Sequence, residues 1–89
     1  MPKTIHTRPY DAFRRSLKDA RKATGMTQKE LARRLSMTQS AVSKIEMGEQ
    51  RIDVIQLREW CEALGITLAS FVDSLENVLR GKSRSTRRI

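Results

Sequence analysis

The chain has 89 residues and 38% hydrophobic content, which leaves room for one domain with only a small core. Its formal net charge of +8 favours a nucleic-acid partner only weakly, because many small domains are basic. Cys61 is the single cysteine, so an internal disulfide is excluded, and no apolar run approaches the length needed to span a membrane.

The distribution of charge says more than its total. Residues 1–52 carry 12 basic side chains against 5 acidic ones, residues 53–81 carry 2 against 5, and residues 82–89 carry 4 basic side chains and no acidic one. A basic amino-terminal part followed by an acidic stretch predicts a molecule with one cationic side. Such a side is the electrostatic pattern expected for a polyanionic partner.

The chain begins with a segment that predicts no regular structure. Residues 1–9 contain two prolines and few apolar side chains, so they are interpreted as a flexible arm. The first helix is predicted from about Tyr10 or Asp11 to Thr24, where Gly25 stops it. Its inner face would hold Phe13, Leu17 and Ala20.

The second helix carries a clear start signal. Thr27 followed three residues later by Glu30 is a capping box. The apolar side chains at helical spacing after it are Leu31, Ala32 and Leu35.

The third helix follows after a very short turn at Ser36 and Met37. Thr38 offers a hydroxyl to the unpaired N–H groups at its start, and Gly48 ends it. Its inward side chains would be Val42 and Ile45. Two helices joined by so short a turn are typical of a helix-turn-helix.

Two further helices are predicted in the second half. The fourth follows Asp53, with Gln56 at the capping-box position, and ends at Gly65. The fifth lies between Thr67 and Gly81. Their apolar side chains are Leu57, Trp60, Cys61, Leu64, Leu68, Phe71, Val72, Leu75, Val78 and Leu79.

These elements together predict an all-α fold. One helical domain of residues 10–81 would lie between the flexible arm of residues 1–9 and a basic, disordered tail of residues 82–89. No segment shows convincing strand alternation. We expect Trp60 to pack with one edge left in water.

The order and spacing of these signals resemble the DNA-binding domains of lambdoid phage repressors, Cro proteins and XRE-like regulators. The resemblance covers roughly residues 10–80 and includes, besides the helix pair, Ala20, Arg21, Gly25 and Met26, TQ at 27–28, ELA at 30–32, SKIEMGEQRI at 43–52 and CEALGI at 61–66. It implies a five-helix lambda-repressor-like bundle whose helices 2 and 3 form the helix-turn-helix. The family usually has glycine in the turn, where the backbone is left-handed, and Ser36 stands there in this chain.

The resemblance implies a sequence-specific transcription regulator of double-stranded DNA, acting as a repressor that reads the major groove with helix 3, about residues 39–47. The matching base-reading positions are Gln39, Ser40, Ser43 and Lys44. A glutamine amide can form two hydrogen bonds with adenine, and a lysine can donate to guanine. For Ser43 a base contact and a purely solvated position remain open.

Phosphate contacts are expected from side chains around the two helices. Gln28 begins helix 2, Thr38 precedes helix 3, and Arg51 lies in the loop before helix 4. The alternative for Arg51 is a free surface charge. A solvated face is the preferred interpretation of Arg14, Arg15, Lys18 and Lys22, and the basic tail suits additional phosphate contacts.

Two structural expectations complete the resemblance. Arg21 and Glu46 match a pair that bridges helix 1 and the end of helix 3, which implies a partly buried ion pair. Relatives bind palindromic sites as dimers, so a homodimer is expected here. Its candidate surface is Leu75, Val78 and Leu79, and the alternative is that these three side chains only cover the monomer core.

Other classes of function find less support in the sequence. An enzyme, a cofactor or a metal centre is not expected, since His6 lies in the arm, Cys61 in the predicted core, and no ligand spacing appears. The stronger alternative is a protein-interaction module of the same fold, antitoxin-like or a bridging factor, in which DNA binding is secondary. Either way we expect a cytoplasmic protein, bacterial or phage-encoded and associated with the nucleoid.

Overall fold

The computed structural model describes residues 7–81, and this range forms five α-helices without any strand. They are α1 (Arg8–Ala23), α2 (Gln28–Leu35), α3 (Gln39–Glu46), α4 (Val54–Leu64) and α5 (Leu68–Leu79). The all-α, five-helix prediction is confirmed. The predictions made for residues 1–6 and for the tail of residues 82–89 lie outside the described residues.

The first helix starts earlier than expected. Thr7 caps α1, its hydroxyl accepting the backbone N–H of Tyr10 at 3.3 Å. Pro9 is accommodated because the first helical turn has N–H groups without an intrahelical partner, so a missing N–H costs nothing there. The predicted boundary at residue 9 is therefore wrong, and Arg8 and Pro9 belong to the helix.

The predicted helix starts at the other elements are confirmed by their hydrogen bonds. Thr27 Oγ1 accepts the Glu30 N–H at 3.1 Å while Glu30 Oε1 accepts the Thr27 N–H at 2.9 Å. Hydrogen bonding from Thr27 to the charged carboxylate lowers the pKa of Glu30. The same reciprocal box joins Asp53 and Gln56 at 2.8 and 3.0 Å, and single hydroxyl caps precede α3 and α5.

The turn between α2 and α3 depends on a left-handed residue. Ser36 has φ 57° and ψ 42°, the conformation for which the family usually supplies glycine. A side chain in this region costs about 1 kcal/mol because Cβ approaches the backbone carbonyl. In return the Met37 N–H reaches the Ala32 carbonyl at 2.9 Å, which closes the end of α2 and turns the chain directly into α3.

One continuous core holds the five helices together. Its buried members are Leu17, Leu31, Ala32, Val42, Ile45, Leu57, Trp60, Cys61, Leu64 and Phe71. Trp60 is only 1% exposed, so the expectation of a wet edge is wrong. Burial raises the pKa of the Cys61 thiol, which keeps it protonated as a small core side chain.

The packing order determines which side of α3 is free. α2 packs against α3 and α4, and α1 packs against α3 and α5. α3 therefore rests on α1 and α2 through Val42 and Ile45, both 0% exposed. Its opposite side points away from the bundle.

We predict that Ser36→Gly raises the free energy of unfolding by about 0.5–1 kcal/mol, because glycine adopts a left-handed backbone without steric cost. Urea unfolding followed by circular dichroism measures the change. The matched control is Ser74→Gly in the middle of α5, where glycine should lower stability by about 0.5 kcal/mol. Equal losses in both variants would contradict the role assigned to the turn.

Candidate nucleic-acid interface

The outer face of α3 carries the polar side chains predicted to read bases. Gln39, Ser40 and Lys44 are exposed, whereas Ser43 is half-buried. Residues four apart are neighbours on a helix surface, so Gln39 lies beside Ser43, and Ser40 beside Lys44. The structure thus brings the four predicted residues together as two adjacent rows beginning at the amino end of the helix.

Thr38 combines a capping contact with exposure. Its Oγ1 accepts the backbone N–H of Ala41 at 3.0 Å, and the residue is exposed. A hydroxyl that accepts one hydrogen bond still has its own proton to donate. The cap is therefore compatible with a phosphate oxygen next to the start of α3.

A buried carboxylate fixes the other end of α3. Glu46, the last residue of this helix, is 2% exposed. Arg21 Nε lies 2.7 Å from Glu46 Oε2, and Arg21 Nη2 lies 3.0 Å from Glu46 Oε1. The third donor, Arg21 Nη1, reaches the Met26 carbonyl at 2.8 Å. This two-point pair ties α1 to α3 and to the loop before α2.

Gln28 belongs to the same cluster. Its Nε2 donates to Glu46 Oε1 at 3.0 Å, so the carboxylate joins three helices. A side-chain amide has a second N–H and a carbonyl oxygen, and these remain as possible contacts to DNA from half-buried Gln28. The hydrogen bond to Glu46 fixes the position of the Gln28 side chain at the start of α2.

Arg14 is a structural residue that the sequence interpretation missed. Its Nη1 donates to the Glu46 carbonyl at 3.2 Å, and its Nε contacts Asp11 Oδ1 at 3.1 Å. Assigning it to a solvated face was wrong, although Arg15, Lys18 and Lys22 are exposed as expected. The signal was its spacing, because Arg14 precedes Arg21 by seven residues, about two helical turns, and so shares its side of α1.

The loop between α3 and α4 holds Arg51 on the surface. The Arg51 guanidinium carbon lies 4.3 Å from the centre of the Tyr10 ring, and Tyr10 Oη donates to the Gln50 carbonyl at 3.5 Å. Arg51 is therefore an exposed cation that rests on an aromatic ring. In the sequence, Tyr10 only marked the expected start of the first helix, and nothing near it along the chain pointed to these contacts.

The predicted dimer residues lie on α5 and differ in burial. Leu75 packs against the core as a half-buried side chain. Val78 and Leu79 are 53% and 46% exposed, and Val72 on the same helix is 45% exposed. The carboxyl-terminal half of α5 therefore leaves apolar surface uncovered in the monomer.

The described residues also bear on membrane and metal binding. Between residues 7 and 81, no helix is both long and apolar enough to cross a membrane. Within that same described range, no group of three His, Cys, Asp or Glu side chains is arranged to hold a metal ion.

Two adjacent helices joined by a tight turn, with a polar outer face on the second, define a helix-turn-helix DNA-binding domain. The family model described as Helix-turn-helix matches residues 17–71. The solved structure of an XRE-family like protein from Pseudomonas syringae pv. tomato str. DC3000 is 44% identical, covers 84% of this chain and 92% of its own, and superimposes with a TM-score of 0.75. The chain belongs to the XRE-like helix-turn-helix family of DNA-binding transcription regulators, as the resemblance predicted.

More distant structures share the fold. The wild-type restriction-modification controller protein C.Esp1396I is 21% identical, with 84% of this chain and 99% of the other covered and a TM-score of 0.75. The clp gene regulator ClgR from Corynebacterium glutamicum is 24% identical, with 79% and 74% covered and a TM-score of 0.72. No curated protein sequence matches the chain.

We predict that Glu46→Ala lowers the free energy of unfolding by about 3–5 kcal/mol, because it leaves the Arg21 guanidinium buried without a counter-charge. DNA binding should fall as a consequence of this lost stability. Urea unfolding gives the loss, and duplex binding at a temperature where the variant remains folded gives the residual affinity.

The matched control is Glu76→Ala, which removes the partner of Arg80 from an exposed pair at 2.8 Å. Exposed pairs of this kind contribute about 0–1 kcal/mol, so the control should stay near wild-type stability. Normal thermal stability in Glu46→Ala would count against a structural role for the buried pair.

Proposed function

We propose that the protein is a sequence-specific repressor that binds double-stranded DNA as a homodimer on a palindromic operator, with α3 in the major groove. The observation that carries this proposal is the exposed polar face of α3 beginning at Gln39. Its opposite face is held rigidly by core packing and by the buried Glu46 cluster. A reading helix needs both properties, since base contacts tolerate little displacement.

The side chains on that face match the chemistry of base edges. Gln39 has the donor and acceptor that pair with adenine N7 and N6, and Lys44 has a charged donor for guanine O6 and N7. Ser40 can serve either base or a phosphate. Half-buried Ser43 is the least exposed of the four side chains.

Phosphate contacts would flank this face. Gln28 is held at the amino end of α2 by Glu46, Thr38 is exposed at the amino end of α3, and Arg51 is exposed in the following loop. Contacts to the phosphates of the DNA set the register of a protein on the duplex without reading its sequence. Base discrimination is then left to α3.

The dimer proposal is supported by α5. A single reading helix covers only a few base pairs, and two copies related by a two-fold axis place their reading helices about 34 Å apart on one face of the duplex. Val78 and Leu79 offer apolar surface on an element other than the reading helix. A second copy of α5 would bury that surface.

Repression follows from occupancy. A dimer seated on an operator that overlaps a promoter excludes the polymerase, and this requires no surface beyond those already described. The protein would then act in the cytoplasm on the nucleoid of a bacterium, or on phage DNA.

We predict that Gln39→Ala weakens binding to the preferred site by about 1–3 kcal/mol and relaxes preference at one base pair of each half-site. Selection from a random duplex pool defines the site, and competition with duplexes substituted at each position measures the preference. Asn77→Ala, which removes another exposed helical amide on α5, is the control and should bind like the wild type.

The alternative function makes a different prediction for the same measurements. A protein-interaction module that is merely basic would bind every duplex weakly and uniformly, with no site enriched from the pool. That result would reject sequence-specific reading by α3.

We predict that Leu79→Glu converts the dimer into a monomer, because it places a charge in the apolar contact. Sedimentation velocity over a range of concentrations measures the state, and binding to a palindrome should lose its advantage over a single half-site. Asn77→Glu lies about 200° around the helix from Leu79 and should leave the dimer intact. A wild-type chain that stays monomeric at every concentration and on DNA would contradict the dimer.

A further inference from the structure

Tyr10 lies where α1 meets the loop between α3 and α4. Its ring packs at 5.5 Å, centre to centre, against Phe13, which in turn meets the Phe71 ring edge-on at 6.1 Å. One face of Tyr10 supports the Arg51 guanidinium at 4.3 Å. An aromatic series thus connects α5, through α1, to the Arg51 cation of the loop.

We propose that Tyr10 is a positioning residue for DNA binding, whose ring face holds the Arg51 guanidinium ready to meet a phosphate. This inference rests on the proposed function, because it gives Arg51 a phosphate contact. It adds a residue on α1 that touches no DNA itself and acts through Arg51.

The physical basis is the shape of the guanidinium group. Its five N–H donors lie in one plane and point outward from its edge. A ring beneath the flat side attracts the cation electrostatically without using those donors. Arg51 can therefore remain over Tyr10 while its edge binds a phosphate oxygen, and the conformational freedom of a long side chain is already reduced before DNA arrives.

Other contacts give this arrangement a rigid base. Tyr10 Oη donates to the Gln50 carbonyl at 3.5 Å, which ties the backbone beside Arg51 to α1. Burial raises the pKa of the Tyr10 hydroxyl although the Arg51 charge opposes the shift, so the ring is neutral and the attraction is of the cation–π type. Four residues along α1, Arg14 holds the end of α3 through the Glu46 carbonyl. One face of α1 therefore positions both the reading helix and the loop.

The test is a double-mutant cycle on the full chain with Tyr10→Leu, Arg51→Ala and the double variant. Affinity is measured between 50 and 200 mM salt on the selected site and on a random duplex. Arg51→Ala should reduce the slope of log K against log salt by about 0.9, the amount expected for one lost phosphate contact. Tyr10→Leu should weaken binding about two- to fivefold, and it should reduce the slope as Arg51→Ala does. In the Arg51→Ala background it should change neither quantity.

Two control variants separate positioning from general damage. Tyr10→Phe keeps the ring face that holds Arg51 and removes only the long hydrogen bond to the Gln50 carbonyl, so it should retain the wild-type slope. Arg80→Ala removes a cation from α5 that is paired with Glu76, and it should leave the slope unchanged. Circular dichroism identifies any variant that fails to fold, and in that case Tyr10→Phe and Tyr10→Met carry the comparison.

The outcomes distinguish this inference from the proposed function. The positioning role is overturned if Tyr10→Leu weakens binding equally with and without Arg51. It is also overturned if Tyr10→Phe reduces the slope of log K against log salt as much as Tyr10→Leu does. In both cases base reading by α3 still stands. An unchanged slope in Arg51→Ala overturns both the Arg51 contact and the inference. If no site is enriched from the pool, the proposed sequence specificity fails, yet the cycle on the random duplex still tests Tyr10, because non-specific affinity depends on the same phosphates.

Discussion

The arrangement of the DNA-binding face depends on the contacts that the Glu46 carboxylate makes with Arg21 and Gln28. A negative charge at the carboxyl end of a helix is unfavourable with the helix dipole, and its burial adds a desolvation cost. Both costs are offset by two contacts from Arg21 and one from Gln28. The result is a polar cluster that links α1, α2 and α3.

α1 has a supporting role that its position in the sequence does not suggest. Arg14 donates to the Glu46 carbonyl, Arg21 pairs with the Glu46 carboxylate, and Leu17 between them is fully buried. These residues recur at helical spacing along one face. That face therefore combines core packing with charged contacts to the end of α3, where unpaired carbonyls and the negative end of the dipole favour cationic donors.

The turn at Ser36 shows how little the helix-turn-helix requires of any single residue. A left-handed serine costs about 1 kcal/mol relative to glycine. The two helices still form because the caps and buried side chains on both sides of the turn favour them. The Thr27–Glu30 box starts α2, Thr38 starts α3, and Leu31, Val42 and Ile45 are buried between them. Local consistency at several positions compensates for one unfavourable backbone conformation.

Sequence alone determined the five helices, the amino-terminal caps of α2 to α5 and the polar residues of α3, because capping boxes, glycine stops and helical spacing act within a few residues of one another. Only the tertiary structure decided what Tyr10, Arg14 and Trp60 do. Arg14 and a solvated arginine look alike along the chain, and the difference is the Glu46 carbonyl, 32 residues away in sequence. Tyr10 meets Gln50 across 40 residues, and Trp60 is buried in a core whose members come from all five helices. Contacts between distant residues depend on how the helices pack, which no local pattern specifies.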